Sequence, residues 1–478
     1  MPPFEYAAPA SVDDAIALLA RHGADAKVLA GGQSLVPLLN YRLARPRVVV
    51  DVNDLPLGDV RVEDGRLALG ALVRHATLAT SPAVARECAI LAEAAALIGN
   101  VRVRTLGTLG GSLAHADPAA ELPLAIVALD ARLEARGPRG ARTIEARDFF
   151  TGYLTTALAP DELLTGVTVP VTRGAGVALE EFSRRPGDFA LVAVAAILGI
   201  DRRGRVEQAR VAVGGVGPAP VRLTAVEDAL RGQEPGAEQL ARAAAVARGR
   251  VVPNGDAFAS AEYRKLLAGV LTKRALTRAV ARAMAAEATP SRGPAAPGRV
   301  RAMGGVVGGH VGAPHQVSTR LVINGRPRDV DVEPHRTLLE VLRDTLGIFD
   351  AKEGCNEGVC GACTVLLDGQ PVSSCLLLAV GTGARPITTV RGLGDDGLHP
   401  LQEAFLKHGA VQCGFCTPGM LLTALAFLEQ NPRADRDAVR AALEGNLCRC
   451  TGYTKIIDAI EEYAVTQRRS AAVTRVRE

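Results

Sequence analysis

The chain has 478 residues, 48% of them hydrophobic, enough for about three to five domains with buried cores. Its 55 basic and 51 acidic side chains leave a formal charge of +4, and aromatics make up 3% with no Trp, so neither nucleic acid nor a membrane surface is an expected partner. The N-terminus has no basic start followed by an apolar block, and the longest strongly apolar run, 189–200, is too short to span a bilayer. The reducing cytoplasm is the expected location.

In chain order, 26–30 (AKVLA) reads as a strand leading into Gly31-Gly32 and the apolar stretch SLVPLLNYRL. Strands follow at 48–54, in a hairpin at 61–70 and at 131–146, with a helix at 88–99. Cys88, alone in that Ala-rich helical stretch, is read as a buried apolar filler. After a shift near residue 175, two strands (FALVAVAAILGI and RVEQARVAVGGV) precede a helix at 236–249 and another at 258–285. This order is α+β rather than a regular βαβα alternation. Residues 286–318 are rich in Gly, Ala and Pro without an apolar period, as a flexible linker would be. Beyond them, Asn324-Gly325 interrupts an alternating run and predicts a hairpin. Residues 319–390 are strand-rich with a helix near 338–345, and 398–466 hold four amphipathic helices, the content of a small bundle.

Eight of the nine cysteines lie behind the linker in two sets. Cys355, Cys360, Cys363 and Cys375 form C-x4-C-x2-C-x11-C, the spacing of plant-type [2Fe–2S] ferredoxins. Glycines 354, 358 and 361 let that loop wrap a cluster and turn amides toward its sulfurs. Cys413 and Cys416, then Cys448 and Cys450, form C-x2-C followed by C-x-C. Each pair precedes a helix, with Thr417 the expected N-cap and Pro418 the first helical residue, so a positive dipole end would face an anionic cluster. A structural zinc site is the competing reading, but such sites favour two CxxC knuckles.

The glycine pairs offer weaker signals. Ala30, Gly31, Gly32, Gln33 and Ser34 follow a strand, and Thr108, Leu109, Gly110, Gly111 and Ser112 form a second Gly-Gly turn. Two such turns could present amide nests to a dinucleotide pyrophosphate. Gly392-x-Gly394-x-x-Gly397 matches a dinucleotide fingerprint, but its two aspartates and the lack of a βαβ unit make it a connecting loop. No catalytic triad or zinc-hydrolase motif is present. The histidines are scattered; His115 lies near the second loop, while His310 and His315 sit in the linker.

CNEGVCGACTV with its later SC, then QCGFCTPGM and NLCRCTGY, resembles the two-cluster iron–sulfur component of the xanthine dehydrogenase family, the molybdenum hydroxylases, which includes aerobic carbon monoxide dehydrogenase. AGGQS, TLGGS, FEYAAPAS and FSRRPGDFALVAVAA resemble the FAD-binding medium subunit of the same family. The resemblance implies an α+β multidomain chain. Residues 1–175 would be a two-part α+β FAD-binding domain of the PCMH type, and 176–285 the carbon monoxide dehydrogenase flavoprotein C-terminal domain. After the linker at 286–318, 319–395 would be a β-grasp [2Fe–2S] ferredoxin domain and 396–470 a helical [2Fe–2S] domain.

It further implies FAD contacts at the two glycine loops, Asp117 and Glu121, cluster ligation by the eight cysteines, and a pterin contact at Gln412. Thr105 and Leu106 depart from the Asn and Arg that members often carry before the second loop. The molybdopterin cofactor would reside on a large partner subunit, in a dimer of heterodimers. Electrons would run from it through the second cysteine set, the first set and FAD to an external acceptor. The linker would let each half dock separately on that partner. The alternatives are a stand-alone flavin/iron–sulfur reductase without molybdenum and a zinc-stapled scaffold.

Overall fold

The computed structural model describes residues 1–287, 311–312, 316–394 and 397–477. Most of the expected linker, with His310 and His315, and Asp395 and Asp396 of the glycine-rich loop, therefore lie outside the described residues.

The chain opens with β1 (Glu5–Ala7), α1 (Val12–His22), β2 (Ala26–Leu29), α2 (Leu35–Asn40) and β3 (Val48–Asp51). Ser11 caps α1 by accepting from the Asp14 amide, and the helix buries Ala15, Ile16 and Leu19. The three strands pair in parallel in the order β1-β3-β2, and Val311–Gly312 adds antiparallel to β1. Residues 30–34 thus lie beyond the carboxyl end of a parallel strand, where open α/β sheets bind ligands.

A second sheet contains β4 (Val60–Glu63) and β5 (Arg66–Gly70). Then come α3 (His75–Thr80), α4 (Pro82–Glu87), α5 (Ala89–Leu97), α6 (Val101–Leu106), α7 (Leu109–His115) and α8 (Glu121–Ala128). The sheet is completed by β6 (Arg132–Gly137), β7 (Gly140–Glu145) and β8 (Leu163–Pro170), in the antiparallel order β4-β5-β8-β6-β7. Cys88 is fully buried in its core, and burial pushes that thiol up to about 12.

A third, antiparallel sheet follows: β9 (Gly176–Phe182), β10 (Val192–Ile200), β11 (Val206–Gly214) and β12 (Val221–Arg222). It carries α9 (Thr224–Leu230), α10 (Ala237–Arg250) and α11 (Ala261–Glu287). The continuous apolar run in β10 has a simple cause. Ala193, Ala195 and Ile197 face the core of the second sheet, while Val192, Val194, Ala196 and Leu198 face α10 and α11. A strand covered on both sides has no polar face to alternate with.

The bounds expected for the linker, 286–318, are too wide, since α11 runs to Glu287, Val311–Gly312 is a strand and the next strand starts at Val317; from there β13 (Val317–Ile323) and β14 (Arg326–Val332) turn on Asn324 and Gly325, both at positive φ. A capping box between Thr337 and Glu340 starts α12 (Leu338–Glu340), which continues as a π turn over Val341–Thr345. The strands β15 (Thr364–Leu367), β16 (Gln370–Ser373) and β17 (Pro386–Thr388) complete a mixed sheet, β14-β13-β17-β15-β16. The parallel β13–β17 pair at its centre is the β-grasp arrangement. Four helices close the chain: α13 (Pro400–Lys407), α14 (Thr417–Gln430), α15 (Arg436–Ala442) and α16 (Thr454–Arg477). They enclose Phe405, Met420, Leu421, Ile456 and Ile460. Among the described residues no helix is long and apolar enough to cross a membrane.

The two halves do not stand apart, contrary to the expectation of separate docking. Phe4, Tyr6, Leu29, Val36, Leu39 and Leu106 share one buried core with Leu321, Leu338, Val365, Leu376 and Val380.

Candidate functional site

A cavity of about 560 Å³ lies between the two glycine loops, a volume in the range of small-molecule and cofactor sites. In the first loop, β2 ends and α2 begins around Gly32, which sits at φ +72°. Among the described residues the amides of Gly32, Gln33 and Ser34 have no hydrogen-bond partner. The Gln33 amide group donates to the Gly31 carbonyl at 2.8 Å while its own Oε1 is buried without a partner. Open amides suit the anionic part of a cofactor, and the orphaned Oε1, an acceptor, suits a hydroxyl or N–H donor of the same molecule.

The second loop differs from its prediction. Gly110 and Gly111 lie within α7 rather than in a turn. Thr108 caps that helix, its Oγ1 accepting from the Gly111 amide at 3.0 Å. Leu109 and Gly110 donate to the carbonyls of Val73 and Ala71, so these amides form no free nest. The carbonyls of the neighbouring 71–73 segment and the Thr108 cap claim these first-turn amides before a ligand can, leaving the Ser112 side of the turn on the cavity wall.

The loops touch where Gly31 meets residues 106–107. A Cβ on Gly31 would lie 2.3 Å from the Leu106 carbonyl oxygen and 2.7 Å from Gly107 Cα. Two residues unmarked by sequence hold this contact. Arg74 donates to the Leu106 carbonyl at 2.5 Å and to Asn53 Oδ1 at 2.8 Å, and Asn53 donates to the Ala30 carbonyl at 2.7 Å. Asp51, which accepts from Tyr6 and Asn53, completes the chain. Burial lowers Arg74 to about 10.

Asp117 and Glu121 both line the cavity. Asp117 accepts from the Ala119 amide at 2.8 Å. Glu121 is buried at the start of α8; burial, then the charge of Glu181, lifts it to about 8. Burial alone lifts Glu181 to about 7. His115 is also on the wall, and burial lowers its pKa. His75, which sequence did not single out, is buried with Nε2 2.8 Å from the Thr108 carbonyl, and burial holds it at about 4, hence neutral. Phe189 lines the cavity with 60% of its surface exposed.

The far wall includes Glu357, from the first cysteine loop. Tyr41 donates to Glu357 at 2.5 Å, and Asn40 donates to the carbonyls of Asn356 and Cys375 at 2.9 and 3.3 Å. The cysteines stand in pairs. Cys355 Sγ accepts from the amides of Glu357 and Cys360 at 3.5 and 3.4 Å, and the Cys360 thiol hydrogen bond lowers Cys355 to about 5. Cys363 and Cys375, both buried, have their sulfurs 3.3 Å apart.

In the second set, Cys413 and Cys450 are exposed with sulfurs 3.5 Å apart, and Cys416 meets Cys448. Cys416, not Thr417, is the N-cap of α14; Thr417 is the first helical residue and its Oγ1 is buried without a partner. Cys448 and Cys450 lie in the turn before α16, ahead of Thr451, Gly452 and Tyr453. Gln412 is exposed and donates to the Cys450 carbonyl at 3.2 Å. Among the described residues no three Cys, His, Asp or Glu converge as a mononuclear metal site needs. Thiols in pairs suit two irons, each holding two thiolates.

The two sets also meet. The Leu447 amide donates to the Cys360 carbonyl at 2.9 Å, one residue before Cys448. Gly361, at φ +73°, makes this approach possible, since a Cβ there would lie 2.4 Å from Asn446 Oδ1.

Comparison with known proteins follows the same division. Residues 2–172 match the family described as FAD binding domain in molybdopterin dehydrogenase, and 177–279 the CO dehydrogenase flavoprotein C-terminal domain. Residues 321–383 match the 2Fe-2S iron-sulfur cluster binding domain and 389–461 the [2Fe-2S] binding domain. The front is 42% identical to the 6-hydroxypseudooxynicotine dehydrogenase complex subunit alpha of Paenarthrobacter nicotinovorans, over 59% of this chain and 96% of that protein. The rear is 47% identical to the nicotinate dehydrogenase small FeS subunit of Eubacterium barkeri, over 32% of this chain and 96% of that protein. A solved carbon monoxide dehydrogenase from Hydrogenophaga pseudoflava superposes with a TM-score of 0.58 at 39% identity, covering 59% of this chain and 98% of its own.

Proposed function

Because this chain belongs to the molybdenum hydroxylase family of xanthine and carbon monoxide dehydrogenases, as a fusion of its FAD-binding and two-[2Fe–2S] components, we propose that it is the electron-transfer subunit of a molybdoenzyme. The substrate site and molybdopterin then lie on a large partner chain.

The reading divides the chain at 1–175 and 176–285 for the flavin half, and at 319–395 and 396–470 for the cluster half. FAD is held by Ala30–Ser34, Thr108–Ser112, Asp117 and Glu121, with Phe189 on the cavity wall. Cys355, Cys360, Cys363 and Cys375 hold one cluster, and Cys413, Cys416, Cys448 and Cys450 the other. Bound there, the clusters pass electrons singly and FAD releases them in pairs.

One observation carries the reading: the first cysteine loop forms part of the flavin cavity wall and is hydrogen-bonded to the second cysteine loop through Leu447. Asn40 donates to the Cys375 carbonyl and so holds the first set against the flavin loop. The exposed pair Cys413 and Cys450, with Gln412 beside it, gives the second set an open side toward a partner. A dimer of heterodimers in the cytoplasm, delivering electrons to an external acceptor, is the assembly that goes with this reading.

The test is expression with and without a candidate large subunit. Alone, the chain is reduced by dithionite and oxidises no purine, aldehyde, N-heterocycle or carbon monoxide; with the partner, substrate oxidation returns. Substrate turnover by the isolated chain would overturn the division of labour. Oxidation of a nicotinamide nucleotide without partner would establish the stand-alone reductase instead.

A further inference from the structure

Arg102 is fully buried in the contact between the two halves, and sequence alone did not mark it. It stands in the first turn of α6, where Asn100 caps the helix by accepting from the amides of Arg102 and Val103. The same Asn100 donates to the Gly358 carbonyl of the first cysteine loop at 3.2 Å. The guanidinium reaches both cluster segments. Nε donates to Ser373 Oγ at 3.2 Å, two residues before Cys375, and Nη2 donates to the Gly445 carbonyl at 2.5 Å, three residues before Cys448. Nη1 is buried with no partner.

Among the described residues no carboxylate pairs with Arg102. A buried, unpaired cation is costly, so the site requires an anion. Burial lowers the Arg102 pKa, and the charges opposing that effect are the thiolates of Cys363, Cys360, Cys375 and Cys355. A [2Fe–2S] cluster on four thiolates is dianionic when oxidised and gains a further negative charge on reduction.

We propose that Arg102 is a positioning residue of the relay, a fixed charge supplied by the flavin half that raises the reduction potential of the first cluster and pins both cluster loops to it. This rests on the reading that the first cysteine set holds a [2Fe–2S] cluster. The sign follows from electrostatics: a nearby cation favours the more negative, reduced form. The second cluster is affected less, because Arg102 touches only a backbone carbonyl of that segment.

The experiment is a redox titration of the full-length, cofactor-loaded chain, followed by electron paramagnetic resonance, for wild type, Arg102→Gln and Arg102→Lys. In Arg102→Gln the first-cluster signal shifts to lower potential by about tenfold in the equilibrium constant, 59 mV for one electron, with a smaller shift for the second. Arg102→Lys, which keeps the charge and loses the fork, recovers at least half of that shift. An unchanged first-cluster potential in Arg102→Gln overturns the proposal, and so do equal shifts in the two variants. If Arg102→Gln fails to assemble the first cluster while Arg102→Lys succeeds, the need for charge is upheld. Failure of both, with FAD and the second cluster retained, overturns it in favour of shape. Wild-type chain without iron overturns the cluster reading itself, and this proposal with it.

Discussion

Replacing Gly31 by Ala tests the contact between the two flavin loops. The added Cβ would sit 2.3 Å from the Leu106 carbonyl oxygen, whereas carbon and oxygen ordinarily approach no closer than about 3.3 Å. About an ångström of movement is therefore required. Leu106 cannot easily supply it, because Arg74 grips its carbonyl and the adjacent Gly107 carbonyl accepts from His75. The first loop must shift instead, carrying the open amides of Gly32, Gln33 and Ser34. Overpacking of this kind costs about 1–3 kcal/mol, and each charge-assisted hydrogen bond lost is worth about 1.5–3 kcal/mol. At 1.4 kcal/mol per decade, FAD affinity should fall by about ten- to a hundredfold. Titration of flavin-free chain with FAD, read by flavin fluorescence, measures this, and iron content reports whether the shift spreads to the first cysteine set, which Asn40 ties to this segment. Gly217→Ala, with nothing within 4 Å of its added Cβ, should be silent. Binding by Gly31→Ala within about threefold of wild type would refute the argument.

Purified chain should hold about four irons and one flavin; iron near two, or stoichiometric zinc, would reject two clusters. Cys416→Ser should abolish one of the two electron paramagnetic signals of the reduced chain and spare the other, since its set lies in the helical bundle; loss of both would show that the two sites assemble as one unit. Glu121, lifted by burial and then by Glu181, and Glu181, lifted by burial, stand at about 8 and about 7 against an ordinary 4.5. Over that window the native chain binds protons that the unfolded chain releases, so stability falls as pH rises from about 5 to about 8. Glu121→Gln should flatten this fall in urea midpoints of flavin-free protein, and an unchanged slope would count against the burial argument.

Local features were the legible ones. Asn324-Gly325 marked its hairpin because two consecutive positive-φ residues specify the turn. The cysteine spacing marked the cluster segments, and the structure brings those residues together in sulfur pairs. The second glycine pair misled because Gly-Gly marks a turn only until a capping threonine makes it the first turn of a helix. Arg74, Asn53 and Arg102 left no trace, because their roles come from contacts between distant segments. Arg102 and Gly445 are 343 residues apart, and no periodicity or motif records such a pair. The shared core was invisible for the same reason: Leu39 and Leu376 each read as an ordinary buried leucine of its own unit.

That shared core also changes how the flavin–cluster contact responds to dilution. Were the two faces on separate chains, contact between them would depend on concentration and bear the rotational and translational cost of association. Here both faces belong to one polypeptide, and loosening is a unimolecular opening at a fixed effective concentration. A substitution in this contact should therefore alter the fraction of time the halves spend apart without ever separating them, and its effect should be the same at nanomolar as at micromolar protein.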